Sequence, residues 1–311
     1  MEVKKFVASF SFAVALMSAC STPETTSVRV VVSTNILGDV VEDIVSCANG
    51  TTTVLMPIGA SAHDFSISSQ QAADMAKADL VVLNGLELEA GLSDVIENIK
   101  SEGVRVFEVG AAVDPIALNT EALHNHNHEE DSHEHGEFDP HFWLDMSRMA
   151  KAAEAIGNEL TEITNDVTFE NCATTVRDDI LDAESLVESS LALIPSTNRL
   201  LVVDHESFNY FAEAYSFEII GSLIPSVSDN AQPTSEELAA LVKIIKEKKV
   251  KAIFVGTNST EKLANALRDE IGKHIGVIRL YEGSLGGANS DADTYIKMMQ
   301  FNANAISKAL S

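Results

Sequence analysis

Basic residues are scarce: 21 Lys and Arg stand against 47 Asp and Glu in 311 residues, a formal net charge of −26. So acidic a surface repels nucleic acid and gathers divalent cations. Cysteine occurs three times and tryptophan once. Beyond residue 19, no apolar run approaches the ~18 residues of a membrane-crossing helix. The signatures His-Glu-x-x-His and Gly-x-Ser-x-Gly are both absent, which removes the usual residues of zinc proteolysis and of the serine-nucleophile elbow. What is present is a well-filled α/β composition, 45% hydrophobic, with length for two ordinary domains.

The first residues have the pattern of an export signal. Lys4 and Lys5 precede an apolar run over 6–17, and Ser18-Ala19-Cys20 supplies a small-residue cleavage site. That run is too short to span a bilayer, so residues 1–19 read as a signal peptide. Cys20 stands where the bacterial lipobox places its acylated cysteine, although Met17 occupies the usual leucine position; plain secretion is the alternative. Residues 20–27, rich in Ser and Thr, read as a lipid-anchored tether. This places the chain on the outer face of the cytoplasmic membrane. Cys47 and Cys172 remain. In an exported protein such a pair forms a disulfide more often than not, the alternative being two buried thiols.

Strand and helix patterns alternate twice. Apolar runs over 28–32, 53–56, 80–83 and 104–109 are separated by helical stretches over 36–45, 70–78 and 92–100. After residue 196 the rhythm resumes, with strands over 200–203, 218–223, 252–255 and 277–281 and helices over 208–215, 234–248, 260–271 and 291–310. Thr234 with Glu237 three residues on is a capping box. Between the halves lie two helical segments, 145–160 and 168–194, broken at Thr164-Asn165-Asp166; Ile180, Leu181, Ala183, Leu186, Val187 and Leu191 supply the second one's apolar stripe. The expected fold is α/β: two four-stranded parallel-sheet domains, 28–144 and 197–311, joined by a long backbone helix within 145–196.

Six of the nine histidines fall between residues 123 and 145, interleaved with carboxylates. Neutral imidazole is the commonest protein ligand for zinc and similar ions, so the tract reads as metal-binding rather than as a merely polar loop. His63 follows the second strand, His205 leaves the strand over 200–203, and His141 closes the His-rich tract. Ligands of open α/β sheets bind beyond the carboxyl ends of strands, so the three could meet at one ion. Each also has a plainer role: a turn for His63, packing on Trp143 for His141, pairing with Asp204 for His205. His274, on a polar helix end, reads as a surface residue.

Pro57-Ile58-Gly59-Ala60-Ser61-Ala62-His63-Asp64-Phe65, Asp139-Pro140-His141-Phe142-Trp143-Leu144-Asp145 and Asp204-His205-Glu206-Ser207-Phe208-Asn209 resemble, in order, three ligand motifs of one family. It is the family of solute-binding lipoproteins of bacterial ABC importers for zinc and manganese. Residues 78–89, Gly283-Ser284-Leu285-Gly286 and the closing helix fit as well, so the resemblance spans nearly the whole mature chain. It implies a receptor, not an enzyme, that hands its ion to a membrane permease and works as a monomer. It further implies His63, His141 and His205 as ligands, and it supports the Cys47–Cys172 bridge.

Two departures stand out. Gly283 occupies a position where many relatives have an aspartate ligand, and Gly256 one where many have glutamate. The fourth position therefore falls to water or to Glu282. Three imidazoles suit zinc, Zn(II), whereas manganese favours carboxylate and water. His205 stands where manganese-type relatives carry glutamate, which favours zinc. His124, His126, His128, His133 and His135 then form an accessory, weaker metal loop within 123–136. The competing functions are a manganese-type receptor of the same fold, a zinc-dependent hydrolase working through an open fourth position, and a structural lipoprotein or adhesin that happens to bind metal.

Overall fold

In the computed structural model the described residues are 27–118, 137–228, 231–257, 259, 261–272 and 274–311. The export signal, Cys20, nearly all of the tether and the accessory histidines lie outside them. Three consecutive valines follow Arg29 in the first strand, β1 (Arg29–Val32). Val30 and Val32 face one apolar core and Val31 another, the two-residue period of a strand buried on both sides. The hydroxyl of Thr34 accepts the Leu37 N–H and so starts α1 (Asn35–Cys47). There follow β2 (Thr51–Val54), α2 (Ser69–Met75), β3 (Leu80–Leu83), α3 (Ser93–Ser101) and β4 (Val106–Glu108). The four strands form one parallel sheet in the order β2-β1-β3-β4.

Two helices carry the chain from one half to the other. Asp145 caps α4 (Met146–Thr164) by accepting the Ser147 and Arg148 N–H groups, and the helix ends on left-handed Asn165. α5 (Thr168–Leu191) follows after the expected break. Its buried residues are Phe169, Cys172, Ala173, Ile180, Ala183, Val187 and Leu191. Leu181 and Leu186, expected in that stripe, are exposed at 39% and 62%. A stripe continuing from Phe169 through Cys172 to Leu191 is narrow, and those two leucines project to either side of it.

The second half runs β5 (Leu200–Val203), α6 (Asn209–Tyr215), β6 (Glu218–Ser222), α7 (Ser235–Lys248), β7 (Ala252–Gly256), α8 (Lys262–Ile271), β8 (Gly276–Leu280) and α9 (Tyr295–Leu310). α7 begins with the expected capping box of Thr234 and Glu237. The closing helix starts four residues later than its apolar pattern suggests, because Thr294 supplies the cap. One expectation is corrected. The C-terminal strands form two hydrogen-bonded parallel pairs, β5–β6 and β7–β8, rather than one four-stranded sheet. β5 and β7 lie side by side, but the Gly256 N–H is given to the Asp204 carboxylate instead of a strand carbonyl. On its other side β5 shifts register between Leu201 and Val202, a bulge that increases local twist.

Alternation repeats in this half. Leu201, Val203, Ala252 and Phe254 face inward, Val202, Ile253 and Val255 outward. The inward faces share one continuous core with α1, α4, α5 and α9, while the outward faces have separate cores under α2 and α3 and under α7 and α8. Cys47 at the end of α1 and Cys172 in α5 are joined as a disulfide, with Cα atoms 6.1 Å apart. No helix among the described residues is long and apolar enough to cross a membrane. The carboxyl ends of β1, β2, β3, β5 and β7 deliver the loops described next.

Candidate metal centre

Two of the three histidines are set by the same local device. The Oδ1 atom of Asp139 accepts the backbone N–H of His141 at 2.9 Å and faces its ring Nδ1 at 2.7 Å. Asp204 does this for His205, at 2.8 Å and 3.1 Å. An ionised carboxylate only accepts, so Nδ1 carries the proton and Nε2 presents its lone pair. Both aspartates are anchored in turn. Asp139 Oδ2 accepts from Asn209 Nδ2 at 2.9 Å, and Asp204 Oδ2 accepts the Gly256 N–H and the Ser259 hydroxyl. Burial opposes ionisation of Asp204, but the His205, Ser259 and Gly256 hydrogen bonds outweigh it and hold the carboxyl below its ordinary range.

His63 arrives on the turn after β2, where the Ala60 N–H bonds to the Pro57 carbonyl. Its Nε2 lies 3.3 Å from His141 Nε2. The ligand atoms of His63, His141 and His205 all fall within 4.8 Å of one another. With zinc–imidazole bonds of about 2.0–2.1 Å, the edge of a coordination tetrahedron is about 3.3–3.4 Å. Two neutral imidazoles facing each other at that separation repel unless a proton or cation lies between them. Burial first, then the neighbouring His141 and His205, pushes the His63 pKa down to about 3. His63 is therefore neutral and ready to coordinate at physiological pH.

Glu282, the alternative to water as fourth ligand, lines the cavity from the Nδ1 side of His205. Its carboxylate joins Asp204 on the Nδ1 side of His205, with Oε1 at 3.5 Å, and groups with those two residues rather than with the histidine trio. Its Oε2 accepts from the Ser207 hydroxyl at 3.3 Å, and its backbone carbonyl accepts from the Trp143 indole at 2.6 Å. Burial, then the charge of Asp204, raises its pKa well above the ordinary value. Gly256 makes the room: a Cβ there would clash with Glu282 Oε1, whereas a Cβ on Gly283 would meet nothing within 4 Å. The cavity bounded by Ala62, His63, Leu88, His141, Trp143, His205 and Glu282 measures about 30 Å3. That is room for a water molecule or a metal ion.

A buried clamp outside the expected residues supports the site. Glu89 accepts the Ser33 hydroxyl at 2.5 Å and the Asn84 and Gly85 N–H groups at 2.7 and 3.0 Å. This secures a turn in which Gly85, Leu86 and Glu87 are all left-handed, with φ of 76°, 55° and 62°. Asn84 Nδ2 then donates to the Pro140 carbonyl, immediately before His141. His274 is on the surface, as expected.

The profile of the zinc-uptake complex component A family, periplasmic, known as ZnuA, matches residues 30–309. The chain belongs to the ZnuA family. It is a metal-binding receptor of an ABC importer, a carrier rather than a catalyst. Similar proteins include the manganese-binding lipoprotein MntA of Halalkalibacterium halodurans, 28% identical over 91% of this chain and 88% of that one. The zinc-binding protein TroA of Treponema pallidum is 27% identical over 91% and 88%. The solved structure of TroA superposes with a TM-score of 0.79, covering 92% of this chain and 99% of that one at 25% identity.

Proposed function

We propose that this receptor captures Zn(II) at His63, His141 and His205 and delivers it to the permease of an ATP-driven importer. One observation carries the reading: two imidazole Nε2 atoms stand at the edge length of a zinc tetrahedron, with the third close by. The fourth position is open to water and to Glu282, which lines the same cavity. Manganese, the ion named for one relative, prefers carboxylate and water. The carboxylates here are turned to the Nδ1 atoms of the histidines.

Residues 1–19 act as the export signal, Cys20 carries the lipid that holds the chain at the outer membrane face, and His124 to His135 collect zinc for the inner site. The receptor acts as a monomer, with 28–144 and 197–311 as domains joined through 145–196. Calorimetric titration of the metal-free chain tests the assignment. Zinc is expected to bind tightly and manganese more weakly, on the strength of ligand type. His63→Ala and His205→Ala should each abolish the tight site. Equal or tighter manganese binding would make this the manganese-type receptor.

A further inference from the structure

The Ser33-Thr34 bend after β1 supplies no ligand, yet Asn35, the first residue of α1, joins the two loops that flank the cavity. Asn35 Oδ1 accepts the Leu285 N–H at 2.8 Å, and its Nδ2 donates to Ser284 Oγ at 3.2 Å and to the Pro57 carbonyl at 3.3 Å. Ser284 Oγ also accepts the Gly59 N–H at 2.9 Å. Asn35 and Ser284 are 249 positions apart in sequence, and both are buried. Pro57 and Gly59 belong to the turn that leads into His63, and Ser284 follows Glu282 and Gly283 directly. The junction therefore connects the first-ligand loop of one half to the Glu282 loop of the other.

We propose that Asn35 is a positioning residue for the transported ion, fastening the 283–285 turn to the 57–60 turn and so setting how long the ion stays. The inference rests on the three-histidine reading of the site. The Glu282 backbone is held from its other side by the Trp143 indole, also of the first half; the Asn35 junction is the tie that reaches the loop carrying His63. For the ion to leave between the two loops, the Leu285 and Gly59 N–H groups must give up these partners. The Leu285 N–H is buried, so giving up its partner is costly and resists opening. Cutting the junction lowers the barrier to release without removing any ligand. Residues that orient a metal's ligands typically change affinity by about 10–100-fold when lost.

The test is the rate of zinc dissociation from the full chain, followed by a chelator chase. Wild type, Asn35→Ala, Ser284→Ala, the double variant and His205→Ala are compared, each with its metal-free unfolding midpoint. Asn35→Ala should release zinc about 10-fold faster or more. Ser284→Ala should also speed release, and the double variant should be no faster than Asn35→Ala alone, because both cut one junction. A residue that merely stabilised the fold would lower the unfolding midpoint and leave the release rate unchanged; that result overturns the proposal, as do accelerations that multiply independently. Should Asn35→Ala not fold, Ser284→Ala decides: faster release supports the junction, and wild-type release overturns it. Tight zinc binding retained by His205→Ala would instead overturn the site reading, and the inference with it.

Discussion

His63 has an ordinary pKa of 6.5, pushed down to about 3 by burial and by its two neighbouring imidazoles. In the unfolded chain it takes up a proton as pH falls through about 6.5; in the metal-free fold it does not do so until far lower. Between those values the unfolded state binds the extra proton, so this residue's contribution to stability declines as pH falls. The expected slope is about 1 kcal/mol per pH unit below pH 6. Denaturant unfolding of metal-free wild type and His63→Gln between pH 7 and pH 4.5 measures it. Wild-type stability should fall relative to that of His63→Gln toward low pH, and a pH-independent difference would refute the assignment. The sequence already displayed the three histidines, each at a strand end or beside an aspartate. It did not display where Glu282 points, because that depends on space left by Gly256 on another strand. Asn35 was equally hidden: its partners lie in turns that only the fold brings to it.

At the scale of elements, the disulfide links α1, which packs on the first sheet, to α5, which runs on toward the second half. It closes a loop across 125 positions. Constraining so long a loop removes freedom chiefly from the unfolded chain, worth about 5 kcal/mol by chain-entropy reasoning and typically about 2–4 kcal/mol in practice. The Cys47→Ser, Cys172→Ser variant is expected to lose about that much stability in denaturant unfolding, with zinc affinity unchanged, since neither cysteine lies near the cavity. A variant as stable as wild type would show that α5 and α1 hold together by packing alone. Caps and breaks were the elements most legible in sequence: Thr234 with Glu237 starts α7, and Asn165 ends α4, because capping is decided within a few residues. The pairing of β5 with β6 and β7 with β8 was not legible. It depends on contacts far apart in sequence, such as that of the Gly256 N–H with the Asp204 carboxylate 52 positions away. Leu181 and Leu186 misled for a similar reason. Helical spacing identifies apolar positions, but the width of the buried face is set by the neighbours that pack on it.

Across the whole molecule, the same core runs under both halves. α5 packs on both α1 and α9, and α9 begins at Asp39 of α1 and ends against Lys251 before β7. The cavity is bordered by buried bonds between the halves: Trp143 to Glu282, Tyr295 to Trp143, and Tyr210 and Asn209 to Asp139. Two domains hinged on a flexible strand could close widely around a ligand. Two domains sharing a helix and a core cannot do so without tearing buried apolar surface, at about 25 cal/mol for each Å2 exposed. Ion uptake should therefore proceed through movement of the loops that carry His63, His141, His205 and Glu282, with the two sheets nearly fixed. For a domain pair of this size the radius of gyration is roughly 19 Å. Small-angle scattering of metal-free and zinc-loaded chain should differ by less than about 1 Å, the scale of backbone change in preorganised binding. A contraction of several ångströms on zinc addition would show that the shared core yields and that the halves close as bodies. The Asn35–Ser284 junction would then break with the hinge rather than with the loops.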